Sequence, residues 1–318
     1  VTVEKTYSIV VPVYGNAAGI PFLLERLEQL SSGMDSRVEV VFVVDGSPDD
    51  SYEILSRSLP GFSLHTQLIQ HSRNFGSFAA IRTGMKHATG DFIAVMAADL
   101  QEPPELVLDF FRVLAANGAD VAVGRREGRD DPALSRLSST AFWRIYRRWV
   151  FPDMPEGGVD IFACNRAVAE EILALDESHS SLVGLLYWVG FRRIEIPYRR
   201  QPREHGKSGW SSAKKIRYLL DSVFSFTDLP LTLLIGVGAI GSLFTMLVGV
   251  AVLAVFLSGG ITEPGYTPLM LVILFSTFTM LVALGIVGSY VWRAFENTKR
   301  RPSAIVMSHW VSDIHANV

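Results

Sequence analysis

The chain has 318 residues, 49% of them apolar, a formal net charge of −3 and a single cysteine, Cys164. That length allows about two domains, and the near-neutral charge excludes a global electrostatic pull toward nucleic acid. One cysteine excludes an intrachain disulfide, fits a reduced cytoplasmic compartment and reads as a small packed side chain.

Short β-rich runs are expected at 8–13, 38–44, 64–70, 92–96 and 121–123, with amphipathic helices at 18–30, 50–58, 77–87 and 104–117 between them. Strands alternating with helices imply a mainly parallel sheet covered on both faces. In such sheets ligands gather at the carboxyl ends of the strands. The loops that can carry chemistry are therefore 12–16, 45–49, 71–76 and 97–104. The first run is short, has no basic leader and runs into a proline loop, so no signal peptide is expected there. No G-x-G-x-x-G follows the first strand and no Walker lysine loop is present, which argues against dinucleotide and P-loop enzymes.

Beyond Gly124 the pattern changes. Residues 133–150 read as a helix carrying Trp143, Tyr146, Trp149 and four arginines. Such a segment suits a membrane headgroup layer or an ordinary packed helix with a solvated basic face. A similar segment, 211–228, leads into two long uncharged stretches at 229–260 and 264–292. Each exceeds the ~20 residues that cross a bilayer. Lys214, Lys215 and Arg217 precede the first, and Arg293, Lys299, Arg300 and Arg301 follow the second. The turn between them holds Glu263 and no basic residue, so both termini are expected on the cytoplasmic side. Residues after Pro302 are expected to form a short surface segment.

Three motifs sit in the candidate loops. Pro12-Val13-Tyr14 offers a ring and backbone groups to a nucleobase. Asp45-Gly46-Ser47 puts an acid at a strand end, where it can reach a base or ribose, although Asp-Gly is also ordinary turn chemistry. Asp99-Leu100-Gln101-Glu102-Pro103-Pro104 places a carboxylate and an amide oxygen two residues apart. That spacing suits Mg2+ or Mn2+ shared with phosphates; the prolines also fit a plain helix start. The histidines show no metal spacing, and His71 and His205 read as solvated or packing residues.

The chain resembles the inverting nucleotide-sugar transferases of the GT-A fold, within family 2, and among them the polyisoprenyl-phosphate branch: bacterial undecaprenyl-phosphate hexose transferases and dolichyl-phosphate mannose synthases. The motifs that carry the resemblance are Ser8-Ile9-Val10-Val11-Pro12-Val13-Tyr14, Val44-Asp45-Gly46-Ser47, Ser72-Arg73-Asn74-Phe75-Gly76, Ala97-Ala98-Asp99-Leu100-Gln101-Glu102-Pro103-Pro104-Glu105, Val159-Asp160 and Arg203-Glu204-His205-Gly206-Lys207-Ser208-Gly209-Trp210. Three positions depart from the family pattern. Gly15-Asn16 stands for Asn-Glu, Val44 for an acidic or amide residue, and Ala97 for the first aspartate of D-x-D.

The resemblance implies an α/β, Rossmann-like catalytic domain with two C-terminal transmembrane helices. It divides the chain into a nucleotide-sugar-binding core at 1–132, an acceptor-side region with amphipathic juxtamembrane helices at 133–228, a two-helix membrane domain at 229–293 and a cytoplasmic tail at 294–318. It implies transfer of a hexose from a UDP-sugar to undecaprenyl phosphate with inversion, at the inner membrane, in a homo-oligomer such as a tetramer. Pro12, Tyr14, Asp45, Ala98, Asp99, Gln101, Arg203 and Lys207 would hold the donor. Asp99 and Gln101 would hold the cation, and Arg125, Arg136 and Arg203 the acceptor phosphate. Asp160, with Asp99, would be catalytic, as a base or as an orienting group. A phosphomonoester is largely dianionic at pH 7, so the task is positioning and charge stabilisation. The alternative is a degenerate transferase that binds nucleotide or lipid as a scaffold, which Ala97, Val44 and Gly15 motivate. A processive synthase would add a Q-x-x-R-W motif, and none is present.

Overall fold

The computed structural model describes residues 5–34, 37–127, 143–144, 146–155, 158–175, 177, 180–201, 212–258 and 265–312. They fall into two compact units, Val1–Tyr218 with Pro302–Val318, and Leu219–Arg301. In chain order the first unit contains β1 (Tyr7–Val13), α1 (Ile20–Ser31), β2 (Val38–Val44), α2 (Ser51–Ser58), β3 (His65–His71), α3 (Ser77–His87), β4 (Phe92–Val95), α4 (Glu105–Ala115) and β5 (Val121–Arg126). It continues with β6 (Phe162–Asn165), α5 (Arg166–Ala174), α6 (Leu182–Trp188) and β7 (Arg193–Tyr198). Helix α7 (Ser212–Phe226) leads into the second unit, which holds α8 (Leu229–Leu257) and α9 (Tyr266–Thr298). Strand β8 (Val306–Val311) returns to the first unit.

The eight strands make one sheet in the order β7-β5-β6-β4-β1-β2-β3-β8. Strands β1, β2, β3 and β4 pair in parallel, as do β5 and β7. Strand β6 runs antiparallel between β4 and β5, and β8 antiparallel along β3. The sheet is thus mainly parallel, and its first four strands end together at one edge, where the candidate loops emerge.

Strand alternation sorts the core. Ile9, Val11, Val13, Val40, Phe42 and Val44 face a layer with Leu23 and Leu27 of α1, Leu55 of α2 and Phe110 of α4. The residues between them turn to the other side, where α3 comes so close that a Cβ on Gly84 would stand 2.3 Å from Val10. Parallel strands buried on both faces read as continuous apolar runs, which is why VEVVFVV of β2 is buried throughout. Cys164, in β6, is buried, and burial pushes its thiol up to about 12. It is a packed side chain.

Three strands lie where none was expected. Residues 162–165 and 193–198 supply β6 and β7. The segment after Pro302 lies at the surface, as expected, but as an edge strand that pairs with β3 from Gln67 to His71. Strand β5 runs to Arg126, three residues past its expected end.

In the second unit the two-span expectation is met only in part. Among the described residues, the stretch Phe275–Thr298 of α9 is long and apolar enough to cross a membrane. Leu229–Gly241, in α8, passes that test only together with Tyr218–Phe226, from which it is bent by 77°. Both helices expose large apolar side chains, among them Ile235, Ile240, Leu257, Met280 and Leu284. Exposed apolar side chains in such number mark a surface for contact with a membrane or another protein. Near the end of α9, Arg293 pairs with Asp221 at 2.7 Å and donates to Ser225 at 3.3 Å.

Candidate active site

The loops after β1, β2 and β3 are tied to one another by hydrogen bonds. Asp49 accepts from the hydroxyls of Ser47 and Ser51, both at 2.6 Å, and from the Ala17 amide at 2.9 Å. Burial works against its charge, but these donors outweigh it and hold the carboxyl below its ordinary value. Ser47 in turn accepts from the Gly15 amide at 2.8 Å. Asn16 donates to the Ala98 carbonyl at 2.9 Å, which joins this network to the loop after β4. Tyr14 projects from it, 54% exposed, beside Pro12 at the end of β1.

Asp45 is buried. Its carboxylate accepts the amides of Phe75 at 2.9 Å and Gly76 at 2.7 Å and meets His71 Nδ1 at 2.8 Å. His71 Nε2 reaches Thr83 Oγ1 at 2.9 Å. Asp45 therefore shapes the 72–76 loop from beneath. Gly46 permits that loop to lie close: its φ is +57°, and a Cβ would stand 2.2 Å from the Arg73 carbonyl carbon. On this loop the Arg73 guanidinium lies 3.9 Å from the Phe75 ring centre.

The loop after β4 is the most charged. Leu100 sits in the left-handed region with φ 51°, a conformation a branched residue adopts at a cost and chiefly where function holds it. The turn brings Gln101 N to 3.4 Å from Asp99 Oδ1. Gln101 is also clamped to the residue three past β7: its carbonyl accepts the Gln201 amide at 2.8 Å, and its side-chain Nε2 reaches the Gln201 carbonyl at 3.4 Å. With Nε2 so used, the amide oxygen of Gln101 is the end left to act as a ligand.

Glu102 is buried at the centre of this group, its Oε1 3.4 Å from Arg200 Nε. Burial, Asp160 and Asp99 push its carboxyl up to about 7 against the opposing pull of Arg200. Asp160 is exposed, just before β6, and accepts from Tyr198 Oη at 3.3 Å. Burial and the Asp160 charge raise the Tyr198 phenol, so it stays a donor. Burial opposes the Arg200 charge, while Asp160, Glu102 and Asp99 hold it in place. Asp99, Glu102, Asp160, Tyr198 and Arg200 thus share one electrostatic neighbourhood with more negative than positive charge. Glu102 lies inside the 99–104 motif but has no role assigned to it by sequence, and Tyr198 and Arg200 carry no sequence signal. The motif ending Glu102-Pro103-Pro104 reads as a helix start, and β7 was not foreseen.

No three His, Cys, Asp or Glu side chains enclose a metal by themselves among the described residues. The donors fit a cation held partly by substrate: the half-buried carboxylate of Asp99, an oriented amide oxygen and an unsatisfied buried carboxylate oxygen, Glu102 Oε1. Mg2+ and Mn2+ sites next to phosphates are built this way.

Arg125 is not part of that group. Gly124 lies against Tyr198 and Ile161, so strand alternation turns Arg125 to the opposite face. There it pairs with Glu127 at 3.3 Å and Glu195 at 3.4 Å. Arg126, one residue on and opposite Tyr198 in register, returns to the Tyr198 face. Both arginines, with Arg147, Asp153 and Glu195, line a cleft of about 600 Å3 at the end of β5. Of the segment expected to be an aromatic, basic helix, Tyr146 is wholly buried and Trp149 is half exposed. Arg136, Arg203 and Lys207 lie outside the described residues.

The description glycosyl transferase family 2 matches residues 8–173. The chain is 31% identical over 306 residues to the uncharacterized glycosyltransferase YkcC of Bacillus subtilis (strain 168), covering 96% of this chain and 94% of that one. It is 29% identical over 300 residues to the prophage bactoprenol glucosyl transferase homolog of Escherichia coli (strain K12), covering 94% and 97%. It is 29% identical over 302 residues to the bactoprenol glucosyl transferase of Shigella phage SfX, covering 95% and 98%. Among solved structures, glucosyl-3-phosphoglycerate synthase from Mycobacterium tuberculosis, in complex with Mn2+, UDP and glucosyl-3-phosphoglycerate, is 15% identical, covering 69% of this chain and 77% of that one with a TM-score of 0.46. With a mainly parallel α/β sheet, acidic loops at its carboxyl edge and relatives of that name along nearly its whole length, the chain is a glycosyltransferase and belongs to glycosyl transferase family 2.

Proposed function

We propose that this enzyme transfers a hexose from a nucleotide sugar, with UDP as the nucleotide, to polyprenyl phosphate at the cytoplasmic face of a membrane, with inversion. The observation that carries the reading is the Asp99–Glu102–Asp160 group, with Arg200 and Tyr198, at the ligand-binding edge of the sheet. It occurs in a chain whose helices present apolar side chains outward. Relatives named bactoprenol glucosyl transferase supply the acceptor class. Two membrane spans, with basic residues before α8 and after Trp292, fit that acceptor, whose phosphate lies at the headgroup plane.

The chemistry asks little of a base. A phosphate monoester is largely dianionic at pH 7. One of its oxygens forms the bond to the sugar's anomeric carbon while that carbon's bond to the diphosphate breaks, and the electron pair leaves with the diphosphate. A single displacement inverts the centre, and no proton need move. Asp99 and Gln101 would hold a divalent cation, which when bound offsets charge on the diphosphate. Asp160, hydrogen-bonded by Tyr198 and near the Arg200 charge, would orient the reacting groups. Arg126 faces the Tyr198 side and can meet the acceptor phosphate, while Arg125 holds the rim of the cleft beside it. Arg136, Arg203 and Lys207 would add positive charge to the same two anions. Pro12, Tyr14 and the Asp45-braced loop would receive the nucleoside.

The test is product formation. Purified full-length protein in detergent would be given Mg2+ or Mn2+, undecaprenyl phosphate and a panel of UDP- and GDP-sugars. A lipid-linked hexose found by mass spectrometry, with its anomeric configuration assigned by NMR, is the expected result. Absence of product with every donor would favour the scaffold reading that Ala97 motivates.

A further inference from the structure

The inference here deepens, and rests on, the reading of Asp99 as a cation ligand. We propose that Glu102 supplies the carboxylate that the site lacks at Ala97. Three observations meet on this residue. First, three acidic side chains are buried among the described residues: Glu39, Asp45 and Glu102. The first two are saturated by donors, whereas Glu102 Oε1 is buried and accepts no hydrogen bond. Second, the left-handed turn at Leu100 folds the chain back, so that Glu102 shares its neighbourhood with Asp99 and Asp160 although Pro103 and Pro104 would otherwise lead it away. Third, Arg200 Nε stands 3.4 Å from Oε1 without hydrogen-bonding it. That arrangement places a positive charge beside the carboxylate and leaves its buried oxygen without a donor. Mg2+ beside phosphates is held through one or two carboxylates, and Glu102 would be the second, beside Asp99.

The experiment is second-site rescue, read by binding. Mn2+ is titrated into the full-length protein with UDP, and free Mn2+ is followed by electron paramagnetic resonance. D99N and E102Q should each weaken Mn2+ binding by about tenfold or more, the scale on which even outer-shell changes act. Adding A97D to E102Q should restore binding to within about threefold of wild type, because it returns the carboxylate to the other side of the same loop. If D99N weakens binding but E102Q does not, Glu102 is only the counterion of Arg200 and the proposal is overturned, with the site reading intact. If D99N also binds Mn2+ normally, the site reading falls and takes this inference with it. Should E102Q lose its circular dichroism melt, E102D answers instead: a shorter arm should give reduced affinity, and unchanged affinity overturns the proposal.

Discussion

Glu39 and Glu102 are buried carboxylates at opposite edges of one sheet, and their surroundings differ in kind. At the amino edge, Glu39 accepts from Ser8 at 2.7 Å, Gln67 at 2.6 Å and both the amide and hydroxyl of Thr89, at 2.8 and 3.0 Å. Its charge is spent on joining β1, β2, β3 and the turn before β4. At the carboxyl edge, Glu102 has an arginine nearby, two acids close by and a buried oxygen with no donor. A saturated buried charge holds a fold together. An unsaturated one raises the free energy of the empty protein and is useful only where a partner arrives later. The two edges are thus built for different ends, and substitutions should separate them.

The largest expected effect is on rate, at the carboxyl edge. D160N should cut turnover by about a hundredfold or more while donor affinity, measured by calorimetry with UDP, stays within a few fold. A large loss of donor binding would move Asp160 into the nucleotide site. Next comes stability, at the amino edge. E39Q places an amide among donors and should cost about 2–4 kcal/mol, seen as a lowered apparent Tm. E102Q in EDTA should leave the melt nearly unchanged, and a comparable loss there would erase the contrast between the edges. A smaller split is expected between neighbouring arginines. R126A should raise the KM for polyprenyl phosphate by about tenfold, as loss of a charge-assisted contact does. R125A, whose partners are Glu127 and Glu195, should move it by no more than about threefold.

The smallest effect concerns pH and the amino edge again. Burial, His309 and Lys86 hold the His87 imidazole below its ordinary value, and its ring lies 4.5 Å from that of His309 on β8. A depressed folded value means that this stability is complete above about 6.5 and is lost as pH falls through the folded value. Hydrogen exchange in β8 should therefore quicken below about pH 6.5, and H87Q should flatten that dependence.

Much of this was legible in the sequence. Strands β1, β2 and β4 show as short runs rich in Val and Ile, and β3, with Leu68 and Ile69 at its centre, shows by its place between two helical segments. The site loops follow from where those runs stop. What stayed hidden depended on distant pairing. FACN of β6 is only four residues long, RIEIPY of β7 carries charges and half-exposed side chains, and VMSHWV of β8 gains strand character only against β3. With β5 expected to end at residue 123, the sequence does not show which way Arg125 faces; parity along the longer strand turns Arg125 away from Tyr198 and Arg126 toward it. The role of Glu102 is hidden in the sequence for a related reason. Its neighbours Asp160 and Arg200 lie 58 and 98 positions further on, and only the folded sheet brings them to it.

Strand β8 has a consequence for how the molecule is made. Its pairing partner in β3 lies some 240 positions earlier, as in the bond of His309 to Gln67 at 2.7 Å. At a synthesis rate of about 5–20 residues per second, the backbone of β3 waits on the order of ten seconds or more with one side unzipped. Both long apolar helices leave the ribosome in that interval. The nascent sheet must therefore be kept from sticking to other chains until the last strand emerges, and a ribosome stalled in the helices would release a protein with a raw, adhesive flank.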